Sequence, residues 1–301
     1  MNHSLLLKVI FTILSASSFL IIIFTAISSD FSSKELQILL SSNITCDGSR
    51  DSDNIISFSL FGDWKDSKWK SRFFRPMKKN ILFSEKFYPG WILRIYHNLP
   101  SDLTRELDST NVRFCTITSL NSDYITNNFN DINPRVWRYL ALLDPVIEVV
   151  TFRDSDAIML QREVDAVNEW LHSSPTYHVM RDNQYHGVKI LAGMFGIKLG
   201  KRRAEVRKYT SEMIYRSIRN KNKDTDQNLL AKLFWDDVRN NCTVHDSYFC
   251  ERFKVSGESE IRPFPTKREY LTYVGNIQND QVREACPVEC RPKNHKDWLF
   301  C

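Results

Sequence analysis

Glycine is scarce in this chain, nine among 301 residues, and proline adds only ten. That composition excludes collagen-like and low-complexity character, which need both residues in bulk. No segment repeats itself, which excludes solenoid and propeller arrays. The chain also lacks a long block of one charge. Its net charge of +5 arises with acids set among the bases, as in Lys201-Arg202-Arg203-Ala204-Glu205-Val206-Arg207-Lys208, the pattern of a solvated helix face. No nucleic-acid partner is expected from such a distribution. A hydrophobic fraction of 42% with 26% charged residues is ordinary for a globular protein, so neither disorder nor a polytopic membrane protein is suggested. The length suits one large α/β domain, or two small ones, with appendages, and one core is the simpler reading.

What is present begins with a compartment. Val9 to Ile27 carries no charge and is rich in Ile, Leu and Phe. Wound as a helix, the run approaches the ~30 Å of a bilayer's hydrocarbon core. Lys8 precedes it and Asp30 follows it, so the positive-inside bias puts the N-terminus in the cytosol and the rest in the lumen. The expected division is a cytosolic tail at 1–8, a transmembrane signal anchor at 9–28, a Ser-rich stem at 29–50 and a lumenal domain at 51–301. A cleaved signal peptide ending at Ala26-Ile27-Ser28 is the rival, although the apolar stretch exceeds the usual ~7–15 residues.

Cysteine usage agrees with an oxidising lumen. Of seven cysteines, five (Cys242, Cys250, Cys286, Cys290 and Cys301) fall in the last sixty residues, which reads as disulfide stapling of a loop-rich C-terminus. Cys46 and Cys115 complete the set, and the odd count leaves at least one thiol outside any intramolecular pair. Connectivity stays open. Zinc binding by Cys286 and Cys290 is disfavoured, because no second Cys/His pair has the usual spacing. Asn43-Ile44-Thr45 and Asn241-Cys242-Thr243 are glycosylation sequons that fit a lumenal domain.

Beyond the stem, the chain alternates. Ile55 to Phe61, Trp91 to Tyr96, Asn111 to Ile117, Val146 to Phe152 and Tyr177 to Met180 read as strands. Trp69 to Phe87 reads as a helix interrupted by Pro76, and Asn133-Pro134 supplies an N-cap and first-turn proline for Val136 to Leu143. Glu163 to Leu171, Lys201 to Arg219 and Asp226 to Trp235 are further helices. Strands alternating with helices predict a mainly parallel sheet covered on both faces.

In such sheets ligands bind at the carboxyl ends of the strands, where Arg153-Asp154-Ser155-Asp156 follows an apolar strand. Two carboxylates one residue apart in a turn can both face a divalent cation that bridges to a diphosphate. An isolated Asp-x-Asp is as readily a solvated turn. Its surroundings add Ser57-Phe58-Ser59-Leu60-Phe61-Gly62, Tyr88-Pro89-Gly90-Trp91 through Tyr96, Arg162-Glu163 through Trp170-Leu171, His178-Val179-Met180-Arg181-Asp182 and Leu191-Ala192-Gly193-Met194-Phe195-Gly196. Together with Phe152 to Asp156 these segments resemble the DxD-containing, nucleotide-sugar-dependent glycosyltransferases of the GT-A fold, over residues 55 to 275.

That resemblance implies a GT-A-like, Rossmann-type, mostly parallel sheet flanked by helices behind an N-terminal transmembrane helix. It implies a nucleotide-sugar donor, a glycan, protein or lipid acceptor, and Mn²⁺ or Mg²⁺ as cofactor. The expected location is the Golgi or endoplasmic reticulum membrane, single-pass and type II. Asp156 and Asp154 are then metal ligands, with Asp154 alternatively on the donor ribose and Arg153 near the phosphates. Ser59, Gly62 and Asp63 end the first strand and are candidates for the base, with Gly62 otherwise a turn residue. Gly193 is a candidate on the acceptor side, with a tight turn as the alternative. Asp182, His186 and Asp226 are the polar positions for proton transfer, Asp182 and Asp226 standing as catalytic candidates, and Asp226 is also an ordinary helix N-terminal residue. His245 is placed in a Cys242–Cys250 loop, either as a further metal ligand or as a surface histidine. Two rivals stand beside this reading. One is a haloacid-dehalogenase-like phosphotransferase with Asp236-Asp237 as its later acid pair, and the other is a non-catalytic sugar-binding protein on the same fold.

Overall fold

A computed structural model of the chain describes residues 43–47, 52–119, 131–277 and 280–301. The expected tail and anchor, 1–28, lie outside the described residues. Among the described residues no helix is long and apolar enough to cross a membrane.

The described strands form one nine-stranded sheet in the order β1-β4-β3-β2-β5-β7-β6-β8-β9. β2 (Asn54–Leu60) lies at its centre, and from Ile55 onward every residue of it is buried. A strand covered on both faces reads as a continuous apolar run, and Ile55, Ile56, Phe58 and Leu60 supply it. β2 runs parallel to β3 (Ile92–His97) on one side and to β5 (Val149–Arg153) on the other. β4 (Val112–Ser119) extends the parallel run beyond β3. On the far side β7 (Met194–Lys198) is antiparallel to both β5 and β6 (Tyr177–Arg181), after which β8 (Cys242–Asp246) and β9 (Glu260–Arg262) resume parallel pairing. The expected mostly parallel sheet is therefore present, with β7 inserted against the grain.

Gly193, expected on the acceptor side or in a tight turn, stands immediately before β7, and Gly196 sits inside that strand. A Cβ on Gly196 would lie 2.9 Å from the Trp170 ring, so the glycine there makes room for a fully buried indole.

The helix expected around Pro76 is continuous but changes winding. α1 (Ser67–Trp69) passes through a π turn (Lys70–Phe74) into α2 (Arg75–Phe87), with Pro76 in the first turn of α2. Proline lacks an N–H and crowds the carbonyl one turn back, and the wider π turn places it where neither matters. The segment Pro134–Leu143 is a 3₁₀ helix rather than an α-helix. Asn133 caps it as expected, its side chain accepting from Arg135 N. β2 grips its middle: Ser57 Oγ donates to Arg138 O at 2.7 Å, and Arg138 N donates to Ser59 Oγ at 2.9 Å. Further helices are α3 (Ser101–Glu106), α4 (Gln161–Leu171), α5 (Arg203–Ser217) and α6 (Thr225–Val238).

The main core joins β2, β3 and α2 to α4 through Phe58, Leu93, Ile95, Met77, Val167 and Trp170. Part of the expected stem belongs to the folded domain. β1 (Asn43–Cys46) joins the sheet beside β4, and Cys46 is disulfide-bonded to Cys115. The other bridges are Cys250–Cys290 and Cys286–Cys301, which leaves Cys242 as the buried free thiol.

Candidate active site

β2 has β3 on one side and β5 on the other, so the strand order reverses at β2 and opens a crevice beyond the carboxyl ends of β2 and β5. A cavity of about 630 Å³ lies there. Phe61 and Gly62, just after β2, form one wall, and Asp154, Ser155 and Asp156, just after β5, form the floor. Gly62 has φ +128°, and Trp69 packs over it while its indole N–H donates to Phe61 O at 2.7 Å. A side chain at Gly62 would meet both that ring and an unfavourable backbone.

One buried guanidinium organises the floor. Arg138, from the middle of the 3₁₀ helix, donates to Asp154 Oδ1 at 2.6 Å, Asp226 Oδ2 at 2.5 Å and Arg153 O at 3.1 Å. The Asp154 side chain remains 52% exposed to the cavity despite that contact. Asp156 accepts from Arg72 Nε at 3.0 Å across the cavity mouth. Burial acts to raise the Asp154 carboxyl, but Arg138 and Arg153 outweigh it and hold the group below the usual carboxylate range. Asp156 is shifted upward, by burial and then by the charge of Asp154. Asp226 is shifted upward as well, by burial, with Arg138 opposing and Asp154 adding to the rise. The floor thus pairs one firmly ionised acid with two that bind protons more readily.

Gly193 is required by Asp154. A Cβ there would fall on the Asp154 carboxylate. The strand entry that carries Gly193 is pinned from α6 and the 3₁₀ helix. Gln227 Oε1 accepts from Ala192 N at 3.1 Å, Gln227 Nε2 donates to Ile190 O, and Tyr139 Oη donates to Ala192 O at 3.0 Å. On the remaining wall stand His186, Tyr273 and Gly275. Burial pushes the His186 imidazole down to about 4, so it is neutral at pH 7, and its Nδ1 accepts from Asp182 N at 3.0 Å.

Of the candidates read from sequence, Ser59, Gly62, Asp154, Asp156, His186, Gly193 and Asp226 all line this cavity. Four do not. Arg153 is fully buried and pairs with Glu163 at 3.2 Å. Side chains alternate along a strand, so Arg153 and Asp154 face opposite ways, and the phosphate role expected of Arg153 falls away. Asp63 accepts from Lys65 N at 3.1 Å in the exposed turn after Gly62. Asp182 is enclosed by Arg162 at 3.0 Å, Arg268 at 2.7 Å, Ser247 Oγ at 2.6 Å and Val274 N at 3.0 Å. Burial would raise it, but the two guanidinium groups take it down to about 2, so it is no proton acceptor at neutral pH.

His245 is displaced from its expected setting. The Cys242–Cys250 loop does not exist: residues 242–246 are strand β8, and Cys250 is bonded to Cys290. His245 is fully buried, with Nε2 3.0 Å from Glu169 Oε2 and Nδ1 2.8 Å from His178 Nε2. An ionised Glu169 accepts only, so His245 donates to it from Nε2 and accepts at Nδ1 from His178.

Sequence reasoning passed over Arg138, along with Arg72, Arg135 and Lys223 on the cavity wall. A signal for Arg138 existed. It is the only charge in the run Val136 to Leu143, and an arginine buried in an apolar element has to find acids.

Among the described residues no group of three or more Asp, Glu, His or Cys side chains forms a ready metal cage. The acid pair nevertheless suits Mg²⁺ or Mn²⁺. Such ions keep several waters and are held through one or two carboxylates together with substrate phosphates rather than by an all-protein shell. Asp154, ionised and half exposed, with Asp156 two residues on, is a donor set of that kind.

No family profile matches the sequence, and no curated protein matches it. Solved structures do. A 4-diphosphocytidyl-2C-methyl-D-erythritol synthase from Anaerococcus prevotii matches with a TM-score of 0.41 and 12% identity, over 65% of this chain and 87% of its own. A glycosyltransferase from Streptococcus pneumoniae matches with a TM-score of 0.40 and 14% identity, over 65% of this chain and 45% of its own. A nucleotide-diphospho-sugar transferase, so described, from Desulfovibrio desulfuricans matches with a TM-score of 0.37 and 13% identity, over 65% of this chain and 80% of its own. At such identities the likeness concerns the backbone alone, and activity is decided by the side chains around the cavity.

Proposed function

We propose that the chain is a metal-dependent glycosyltransferase that moves a sugar from a nucleotide-sugar donor to a glycan, protein or lipid acceptor in the secretory pathway. The observation that carries this reading is the Asp154/Asp156 pair at the end of β5, facing a cavity also lined by Arg72, Arg135, Arg138 and Lys223 and by the acids Asp224 and Asp226. Arginine and lysine side chains set beside an acid pair suit a nucleoside diphosphate that arrives with a divalent cation. Asp154 and Asp156 would hold Mn²⁺ or Mg²⁺, which when bound would neutralise charge on a departing diphosphate.

The chain's own residues do the rest. Arg138 holds Asp154 ionised and oriented, and Arg72 and Arg135 lie where donor phosphates enter. Phe61 and Trp69 wall the end nearest β2, where the base is expected, beside Ser59 and Gly62. Asp226, on the cavity lining and shifted upward, is the group this reading assigns to receive the acceptor's proton. The phosphotransferase rival loses its second acid pair. Asp236 and Asp237 lie in α6, where Asp237 accepts from Tyr177 Oη at 2.5 Å and pairs with Arg202, outside the cavity.

Calorimetry tests the proposal. The purified full-length chain is expected to bind a nucleoside diphosphate with Mn²⁺ and to lose at least about tenfold in affinity when the metal is chelated. Asp156→Ala is expected to abolish the metal-dependent part while thermal unfolding stays cooperative. Equal affinity with and without metal overturns the reading. Sugar release or transfer from the donor that binds then separates a transferase from a sugar-binding protein.

A further inference from the structure

The rod formed by α1, the π turn and α2 holds seven Lys and Arg residues (Lys68, Lys70, Arg72, Arg75, Lys78, Lys79 and Lys86) against one acid, Glu85. Seven minus one is +6, and the whole chain carries +5, so the other 280 residues sum to −1. The interspersed charge that describes the rest of the sequence breaks down at this element. Few of these charges are neutralised: Arg72 pairs with Asp156 and Lys78 with Glu106, while Arg75, Lys79 and Lys86 have no carboxylate within ion-pair distance among the described residues.

The free cations are aligned. Arg75, Lys79, Leu82 and Lys86 stand at i, i+4, i+7 and i+11 of α2, and all four are exposed. Spacings of four and three residues put them in one stripe along the helix. The stripe runs away from the cavity, because Trp69, Arg72 and Phe73, at the other end of the rod, line its mouth. Aromatic rings accompany the charges: Arg72 lies over Phe73 at 5.2 Å and Lys86 over Phe87 at 4.7 Å, and Phe83 stacks on Phe87 at 4.1 Å.

We propose that this face is an acceptor-binding track for an anionic glycan, one bearing sulfate, phosphate or carboxylate groups. The terminal sugar enters the cavity past Arg72 and Phe73, and the negatively charged remainder lies along Arg75, Lys79 and Lys86. Charge complementarity and continuity with the cavity select this occupant. A lone exposed Leu82 is too little apolar surface for a membrane-inserting face. The inference rests on the glycosyltransferase reading, whose acceptor it narrows.

The test uses the full-length chain and a sulfated hexasaccharide, with its unsulfated counterpart as control. Amine-reactive labelling is read by mass spectrometry at Lys79 and Lys86, with Lys254 as an internal reference. The sulfated sugar is expected to slow labelling at both stripe lysines and not at Lys254, and the unsulfated one to leave all three unchanged. Lys79→Gln with Lys86→Gln is expected to weaken the sulfated sugar's binding about tenfold, two exposed ion pairs of up to about fivefold each. Neither lysine lines the cavity, so binding of the nucleoside diphosphate with Mn²⁺ should persist in that variant. Equal protection by both sugars overturns the proposal. So does absence of protection, or protection by phosphatidylserine vesicles or an oligonucleotide but not by the sulfated sugar. Loss of nucleotide binding in the unmodified chain, with lysine protection retained, would instead sink the donor reading alone.

Discussion

At the residue scale, Gly193 and Asp154 are a matched pair. The acid occupies the volume a Cβ would take, so Gly193→Ala is expected to push the carboxylate off its bond to Arg138 without the backbone penalty of a left-handed glycine. Binding of a nucleoside diphosphate with Mn²⁺ should fall about tenfold or more, since a displaced ligand loses a charge-assisted contact. Thermal unfolding should change far less than the affinity, and calorimetry beside a melting scan checks both. Cys242 offers a second residue-scale prediction. Burial pushes its thiol up to about 11, and no disulfide partner reaches it. A thiol neither ionised nor exposed does not react, so iodoacetamide at pH 7 should leave the native chain unlabelled. After denaturation without reductant it should label one cysteine per chain. Two or more labels would contradict the three bridges.

At the element scale, Asp182 ties together α4, β6, β8 and the segment that carries Tyr273 and Gly275 into the cavity wall. Its carboxylate meets Arg162, Arg268, Ser247 and the Val274 amide, and Arg268 Nε in turn donates to Phe300 O at 2.6 Å near the C-terminus. Asp182→Asn leaves two buried guanidinium groups without their counter-charge. Breaking such a buried group costs about 3–5 kcal/mol, so a large drop in melting temperature is expected. A residue acting as catalytic base would instead lose turnover at unchanged stability. Its acid titration has a definite sign. The folded pKa of about 2 lies below the ordinary value of 3.8, so the stabilisation is complete above about pH 4 and is lost as pH falls through 2.

For the whole molecule, the histidines act earlier on the same axis. His97, His178 and His245 are buried and His186 is half-buried, and all four are shifted downward, desolvation being the first cause in each. Their unfolded forms begin to take up protons near pH 6.5, whereas the folded His186 resists until about 4. Between those values the unfolded state binds more protons, so stability falls as pH drops from about 6.5 to 4. Melting scans across that range should show a continuous decline, with the Asp182 contribution lost only below it. A melting temperature flat from pH 7 to 4 would contradict the burial of these rings.

How far the sequence reaches can be judged element by element. Strands β2, β3 and β5 are legible because strands buried on both faces write themselves as short apolar runs, and the Asp154/Asp156 turn is legible because it follows one of them. Asn133 is legible as a cap because its side chain acts on an amide two residues away. By itself, then, the sequence determined what depends on near neighbours: caps, the alternation of strand and helix, and the acid turn. Only the tertiary structure decided the rest. It turned β7 against its neighbours and brought Arg138 under Asp154 and Asp226, from 16 and 88 residues away. It enclosed Asp182 and His245 away from the cavity that Asp226 and Gly193 share. Such pairings follow from which strands lie side by side and which face of each strand meets a helix. Those choices are made by packing over the whole chain, and no local pattern records them.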